Sequence, residues 1–239
     1  MAKSTHTKRG TRLGTQFRGK LAVAYGQRGV GPNSLWYVYS PRMRTDWVLR
    51  SDLEWDHFVL AESDPDIVSC SYIHQQKRIV SNGQTLDIPV DVVVTYMDGS
   101  TEWRSVRFAG LVSNEQSPAS VQLGQFVAAA ERTGVSYRLW TEETIRNNHI
   151  LLTNWRRILA WMAAARDRSL APYQAELARV LLSDKKISLG QIETMFGEAS
   201  FSLYAAAIFS ELQHGVYLSD LDTDPLSTHT TIRVQGEGE

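Results

Sequence analysis

The chain has 239 residues, of which 43% are hydrophobic and 21% are charged, and its formal net charge is −1. This composition indicates a globular protein with one large or two small domains. No apolar run approaches the roughly 20 residues that cross a bilayer, and the single cysteine, Cys70, excludes a disulfide framework and a cysteine-rich zinc site.

The N-terminal stretch, residues 1–34, is basic, rich in Gly and Thr, and without an apolar signal core. We therefore expect a flexible arm, with neither secretion nor a membrane partner. No Asp or Glu precedes Asp46, whereas nine Lys and Arg do. Such an arm is typical of a tail that binds DNA phosphates, and a solvated tail is the alternative. The candidate DNA-binding residues are Lys8, Arg9, Arg12, Arg18 and Lys20.

The next stretch predicts a strand followed by a capped helix. Residues 35–40 are apolar and aromatic, which favours a strand. Ser51 or Asp52 can cap a helix that carries Glu54 in its first turns. Asp64-Pro65-Asp66 should end that helix, because proline does not fit a helix interior.

A run of strands is predicted next, at residues 67–73, 76–80, 86–96 and 101–109. Asn82-Gly83 predicts a hairpin between the second and third of these, and Asp98-Gly99 predicts one between the third and fourth. A helix over residues 119–133 and a fifth strand over residues 135–140 follow. Helix, antiparallel strands, helix and strand in this order are typical of an α/β core.

The C-terminal part is predicted to be mainly helical. Its elements are one or two helices over 142–165, a helix over 172–182, one from Ser188, one from Ser200 or Ser202 to Leu212, and strands at 216–218 and 228–234. Three helices followed by a β-hairpin are the order of a winged helix.

Two acids and a cation in the first half of the chain indicate a candidate catalytic site. Asp91 interrupts an apolar strand, where an acid is costly unless it is paired or bound to a metal. Glu54 lies on the preceding helix, and Ser105-Val106-Arg107 lies on the neighbouring strand. This layout is typical of metal-dependent phosphodiester cleavage, in which Mg²⁺ lowers the pKa of the attacking water. The alternatives are a solvent-facing Asp91 and a Glu54 placed to suit the helix dipole.

Other reactive side chains favour structural roles. The histidines His57, His74, His149 and His214 lack the HExxH spacing of a zinc site, and the chain has no P-loop. Cys70 lies in an apolar-polar stretch and is expected to be a core residue rather than a nucleophile.

Several stretches share their order and spacing with one family. They are Ser51-Asp52-Leu53-Glu54, Asp64–Val68, Gln75-Gln76, Ile88–Val94, Asp98-Gly99, Ser105-Val106-Arg107, Val135–Ile145, Ile187–Gln191 and His214–Tyr217. Together they resemble the TnsA family of transposon-end endonucleases, over roughly residues 35–234. The resemblance depends on their order and spacing rather than on one motif.

The resemblance implies a fold and a division into domains. A restriction-endonuclease-like mixed sheet flanked by helices is expected over residues 35–148, and a mainly helical winged-helix domain over residues 149–234. The basic arm, residues 1–34, precedes them, and residues 235–239 form a tail.

The resemblance also implies a magnesium site in which Mn²⁺ can substitute. The family's helix acid falls on Glu54, its strand aspartate on Asp91, and its Gln/Glu-x-Lys on Ser105 and Arg107. The metal is then expected on Glu54, Asp91 and the backbone carbonyl of Ser105. Two positions depart from the family, because Ser105 offers no carboxylate and Arg107 stays charged where a lysine can approach neutrality.

The implied activity is that of a metal-dependent DNA endonuclease, which nicks the 5′ side of transposon ends in the bacterial cytoplasm and is associated with the nucleoid when on DNA. Its implied partners are a DDE transposase subunit (TnsB-like) and an AAA+ regulator (TnsC-like). The two departures support a second hypothesis, a catalytically impaired adaptor that joins transposase, regulator and DNA. A third, a plain winged-helix DNA-binding protein, leaves the hairpin-rich half unexplained.

Overall fold

The structure, a computed structural model, describes residues 34–81, 83–111 and 118–235. These residues form a mixed α/β fold, as the sequence predicted. The strands are β1 (Trp36–Ser40), β2 (Thr45–Leu49), β3 (Ile67–Ser71), β4 (Gln75–Ser81), β5 (Gln84–Val90), β6 (Val92–Tyr96), β7 (Thr101–Val106), β8 (Ser136–Trp140), β9 (Lys186–Ser188), β10 (Tyr217–Ser219) and β11 (Thr231–Val234). The helices are α1 (Asp52–Ser63), α2 (Pro118–Glu131), α3 (Glu142–Ile145), α4 (His149–Ala164), α5 (Ala171–Asp184), α6 (Leu189–Phe196) and α7 (Glu198–Gln213).

The central sheet has four strands in the order β3-β6-β7-β8. The first two pairs are antiparallel, and β7 and β8 are parallel because α2 connects them. The predicted hairpin at Asp98-Gly99 is confirmed, and Gly99 has the positive φ of 82° that this turn requires. The sheet is therefore mixed, with its parallel pair at one edge.

The strand predicted over residues 86–96 is in fact two strands, β5 and β6. They belong to different sheets, since β5 pairs with β4 in a separate hairpin. The break falls at Asp91, whose amide donates to the Arg104 carbonyl at 2.9 Å and whose carboxylate binds groups at the end of β7. The β4–β5 hairpin closes with Ser81 opposite Gln84, and of the predicted turn residues Asn82 lies outside the described residues.

Helix α1 begins and ends where the sequence predicted. The Ser51 side chain accepts a hydrogen bond from the Glu54 amide at 3.1 Å, and the helix stops at Ser63, before Asp64-Pro65. It is buried along most of its length, with Leu53 and Phe58 in the core. Such burial around a helix is expected where it lies between a sheet and another helix, and α1 packs on β3, β7 and α4.

Two strands, β2 and β9, were not predicted from the sequence. Residues Thr45–Leu49 form β2, which pairs with β1 in an antiparallel hairpin with Ser40 opposite Thr45. The four-residue turn between the two strands contains Arg44 at a φ of 49°, in the left-handed region that few side chains adopt.

The C-terminal elements follow in the order α5, β9, α6, α7, β10, β11, and the three strands form an antiparallel sheet in the order β10-β11-β9. The predicted start of a helix at Ser188 is confirmed by a capping box with Gln191. Helix α7 begins at Glu198, ahead of the predicted Ser200 or Ser202, because Gly197 with a φ of 80° separates it from α6.

Buried polar contacts join the two halves of the chain. Asp56 of α1 accepts from Arg146 at 2.6 Å and from Arg156 of α4. Gln213 of α7 donates to a Glu62 carboxylate oxygen at 2.7 Å. One hydrophobic core cluster includes residues from β1 to β11, so the predicted domain boundary at residues 148–149 crosses a shared core and stays a prediction. Within the described ranges, no helix is long and apolar enough to span a membrane.

Candidate active site

The two predicted acids lie on either side of one imidazole ring, that of His74. Its Nε2 is 3.3 Å from Glu54 Oε2, and its Nδ1 is 3.2 Å from Asp91 Oδ1. Glu54 lies in the first turn of α1, Asp91 lies between β5 and β6, and His74 lies in the loop between β3 and β4. Three separate segments therefore bring two acids and one basic group together, with only 5% and 4% of the two acids exposed.

Asp91 is paired at both carboxylate oxygens. Its Oδ2 accepts from Ser105 Oγ at 3.1 Å, from the Val106 amide at 2.9 Å and from Arg107 Nη1 at 2.6 Å. Its Oδ1 faces His74 and lies 3.4 Å from Arg107 Nη2. Burial excludes a solvent-facing Asp91, and this set of donors offsets the cost of placing the acid in an apolar sheet.

These contacts favour the charged forms of both Asp91 and His74. Burial alone would raise the pKa of Asp91, but the His74 hydrogen bond, the Arg107 charge and the Val106 amide lower it to about 2. Burial alone would lower the pKa of His74, but hydrogen bonds to Asp91 and Glu54 and the charges of these two acids raise it to about 9. At neutral pH the ring is therefore an imidazolium between two carboxyl groups.

The free energy of unfolding should fall as pH rises through about 9. The pKa of His74 is about 9 in the folded chain and about 6.5 when unfolded. Its stabilising contribution is thus complete below pH 6.5 and lost above pH 9, and it amounts to at most about 3 kcal/mol. Urea unfolding at pH 6.5 and 9.5 measures it, and His74→Gln, which keeps a hydrogen-bonding side chain without the charge, should remove most of the difference. An equal difference in both proteins would contradict the ion pairs of His74.

Ser105 contacts Asp91 with its side chain, but its backbone carbonyl belongs to the other edge of β7. The Arg107 amide donates to the Trp140 carbonyl of β8 at 3.1 Å, whereas the Val106 amide donates to Asp91 on the opposite edge. Backbone groups alternate between the two edges of a strand, so the Ser105 carbonyl faces β8. The geometry therefore places the Val106 carbonyl, rather than that of Ser105, next to the Asp91 carboxylate.

Arg107 joins these groups at the mouth of the site. Its Nη1 lies 2.6 Å from Asp91 Oδ2 and 2.7 Å from the Val106 carbonyl, and 38% of its side chain is exposed. A guanidinium has five N–H donors in a rigid plane. The exposed part of Arg107 can therefore donate to a phosphate while the remainder holds Asp91.

Two buried carboxylates fit a hard divalent cation by the chemistry of their oxygens. The position between them already favours positive charge, since the His74 imidazolium lies there. Mg²⁺ or Mn²⁺ would be held by Glu54 and Asp91 in place of that charge once the ring withdrew. In the arrangement described, no group of three or more His, Cys, Asp or Glu side chains forms a metal-binding cluster within residues 34–81, 83–111 and 118–235.

His74 is the site residue that sequence reasoning missed. It has no spacing relation to another ligand-type residue, so the sequence predicts a structural role for it, as for the other histidines. Its position in the turn that enters β4, directly before Gln75-Gln76, is the signal that could have marked it. A polar residue at a strand entrance next to a catalytic-type strand is often placed for function.

Other candidate residues lie elsewhere. The DNA-binding residues Lys8, Arg9, Arg12, Arg18 and Lys20 lie outside the described residues. Cys70 is buried on β3, and burial raises the pKa of its thiol to about 12, so it is the core residue that the sequence predicted.

No protein-family model matches the chain, and the comparison with curated proteins gives no match either. What the site does is therefore inferred from its residues and their geometry.

Proposed function

We propose that this chain is a metal-dependent DNA endonuclease that nicks the 5′ side of transposon ends as one subunit of a heteromeric transposase. Its cofactor is Mg²⁺, which Mn²⁺ can replace. Its partners are transposon-end DNA, a DDE transposase subunit that cuts the other strand, and an AAA+ regulator that binds the C-terminal half.

The observation that carries this proposal is the convergence of Glu54 and Asp91 on one cation. The two acids are far apart in sequence and both are almost fully buried, yet each contacts the same imidazolium. Burying two carboxylates together is costly, and structural ion pairs do not require it. Buried acids around a cation position, with Arg107 at the entrance, are typical of phosphodiester cleavage sites.

The arrangement of the secondary structure supports the same proposal. A mixed sheet in the order β3-β6-β7-β8, with α1 packed beside it, is compatible with a restriction-endonuclease-like core. The C-terminal order of helix, strand, two helices and two strands, with β9 paired to β11, is the order of a winged helix. This second unit would hold DNA or a protein partner beside the nuclease site.

The residues have separate roles in the proposed reaction. A bound Mg²⁺ would lower the pKa of a water and neutralise charge on the phosphate. Glu54 and Asp91 hold positive charge between them, and the Val106 amide and Ser105 hydroxyl fix the Asp91 carboxylate. Arg107 orients that carboxylate and offers its exposed N–H groups to the scissile phosphate.

A catalytically impaired adaptor is the second candidate, and the pairing of Asp91 favours it. Both of its carboxylate oxygens already have protein donors, one of them a permanently charged arginine. In that case the same fold joins transposase, regulator and DNA without cleaving. The two candidates differ in one property, whether the chain nicks DNA.

The deciding experiment is a nicking assay on supercoiled plasmid that carries the DNA flanking the chain's own gene. A DDE transposase and an AAA+ regulator of the proposed kinds are added, with Mg²⁺, Mn²⁺ or EDTA. Nicks at the 5′ side of an end that require metal and this chain support the enzyme. Complete transposase activity on the other strand without such nicks supports the adaptor. Calorimetric titration with Mn²⁺ gives a second readout, which does not require partners.

Deleting residues 1–20 should weaken DNA binding in a salt-dependent way. The deletion removes Lys3, Lys8, Arg9, Arg12, Arg18 and Lys20. Each lost phosphate contact should make the plot of log affinity against log salt shallower by about one unit. Fluorescence anisotropy of a labelled duplex between 50 and 300 mM salt measures the slope. An unchanged slope in a folded protein would identify the arm as a solvated or protein-binding segment.

A further inference from the structure

A basic cavity lies on the opposite end of α1 from the candidate active site. It has a volume of about 650 Å³ and lies between the β1–β2 turn and the connection from α4 to α5. Its basic residues are Arg42, Arg44, Arg166, Arg168 and His214. Among the described residues that line it, Asp167 is the one acid, so the cavity carries an excess of positive charge.

The arginines of this cavity have different roles. Arg42 is structural, because its guanidinium donates to the carbonyls of Ile67, Glu62, Asp64 and Gln213. Arg166 is partly neutralised, since it lies 3.7 Å from Asp46 and 3.9 Å from Asp167.

Arg44 and Arg168 remain uncompensated. Both are exposed, and no acid in the part of the chain that the structure describes pairs with either of them. Two guanidinium groups with available donors at the rim of one concave surface favour an anionic ligand.

The backbone conformation of Arg44 indicates a functional role for its side chain. Its φ of 49° lies in the left-handed region, where glycine or asparagine costs less than arginine. The turn itself would therefore be more stable with a smaller residue. A strained position that still carries a long cation, aimed at a basic cavity, is the pattern of a functional residue.

The connection on the other side of the cavity adds a further feature. Helix α5 begins at Ala171 after Leu170, which offers no side-chain cap, and its first turn carries no acid. Leu170, Ala171 and Gln174 line the cavity. Amide groups without a side-chain acceptor at this edge add to the positive potential that the arginines create.

We propose that this cavity binds a backbone phosphate of the DNA on which the active site acts, with Arg44 and Arg168 as its principal donors. The proposal rests on the proposed function for the identity of the nucleic acid. Arg42 contacts Glu62, eight residues along α1 from Glu54, and that length of helix is about 12 Å. It corresponds to three or four base pairs at about 3.4 Å each, so one duplex can reach both places.

A free nucleotide is the less suitable ligand for this cavity. Recognition of a base requires an aromatic or amide partner with an accessible face or edge. Tyr39 is the aromatic residue among the described lining residues, and the Arg166 guanidinium already lies over its ring at 5.7 Å. The cavity thus offers several donors for phosphate oxygens, whereas its described lining offers a base only the Gln174 amide and a ring that already has a guanidinium over it.

The test is DNA binding by the double variant Arg44→Gly/Arg168→Ala in an Asp91→Asn background, with EDTA, so that cleavage does not interfere. Glycine suits the left-handed backbone at residue 44, which protects the fold. Fluorescence anisotropy should show about tenfold weaker binding at 100 mM salt and a salt slope shallower by about two units.

The matched control is Arg78→Ala/Arg132→Ala. It removes two exposed cations that lie neither in the cavity nor in the C-terminal unit. Its affinity should stay within twofold of the parent, and thermal unfolding should show both double variants to be folded.

Each other outcome has a distinct meaning. Equal affinity for the parent and the cavity variant would overturn this inference and leave the proposed function standing. Absence of DNA binding in the parent itself would overturn both. If the cavity variant binds DNA normally but loses calorimetric binding of pyrophosphate, the cavity takes a small anion, and the assignment to DNA is wrong.

Discussion

Replacing Asp91 with Asn is expected to abolish metal-dependent nicking, with a loss of at least about a thousandfold. The carboxylate is a metal ligand in the proposed site, and metal stabilisation of the transition state is worth several kcal/mol. Asparagine keeps the size of the side chain and an acceptor for the Val106 amide and the Ser105 hydroxyl. The plasmid nicking assay with the partner proteins present measures the loss, and Mn²⁺ titration should show weakened binding in parallel.

Asparagine is preferable to alanine because Asp91 is heavily paired. Its removal leaves buried donors and the Arg107 and His74 charges without their partner, which costs about 3–5 kcal/mol. A loss of activity in Asp91→Ala could therefore come from unfolding rather than from a missing metal ligand. Asp87→Asn is the matched control, since Asp87 is exposed on β5 and pairs only with Arg78 among the described residues. Wild-type nicking by Asp91→Asn would exclude this site.

Local chemistry explains why most of the fold could be predicted from the sequence. A serine cap, an Asp-Pro break and an Asp-Gly turn each act within a few residues, so α1 and the β6–β7 hairpin follow from neighbouring residues. The predictions failed where a contact between residues that are distant in sequence determines the structure. Strand β2 is formed by pairing with β1 after a turn that contains a strained Arg44, and no local sequence motif predicts that turn.

The residues of the candidate site likewise divide into those that a local sequence signal predicts and those that depend on distant contacts. Asp91 is visible in the sequence because an acid within an apolar strand is unusual, whereas Glu54 was selected through the family resemblance, since an acid in the first turn of a helix is common. The position of His74 is not visible, because it depends on how the loop after β3 crosses the face between α1 and β6. The break at Asp91 also escaped prediction, since an apolar run with one acid does not reveal that its halves pair with different strands.

If the chain is the catalytically impaired adaptor, the double variant Ser105→Glu/Arg107→Lys is expected to create Mg²⁺-dependent nicking or raise it by about tenfold or more. Glutamate adds a carboxylate where Ser105 Oγ now lies 3.1 Å from Asp91 Oδ2, and acids this close repel each other unless a metal lies between them. Lysine replaces a forked contact of 2.6 and 3.4 Å with one flexible donor whose pKa can shift. Both changes make Asp91 more available to Mg²⁺. The nicking assay and Mg²⁺ titration measure the gain.

Two further variants separate the effect of the added carboxylate charge from that of side-chain size, and an active nuclease site from an impaired one. Ser105→Gln/Arg107→Lys has nearly the same volume without the added charge, so a gain confined to the glutamate variant assigns the effect to the carboxylate. In an active enzyme that uses Arg107 at the phosphate, Arg107→Ala should reduce nicking severely, because the exposed guanidinium would be the group that contacts substrate. Robust wild-type nicking that does not respond to Arg107→Ala would exclude Arg107 both as a donor to the phosphate and as the cause of an impaired site. The catalytic cation would then have to come from another part of the chain, and the imidazolium of His74, which already lies between the two acids, would be the first place to look.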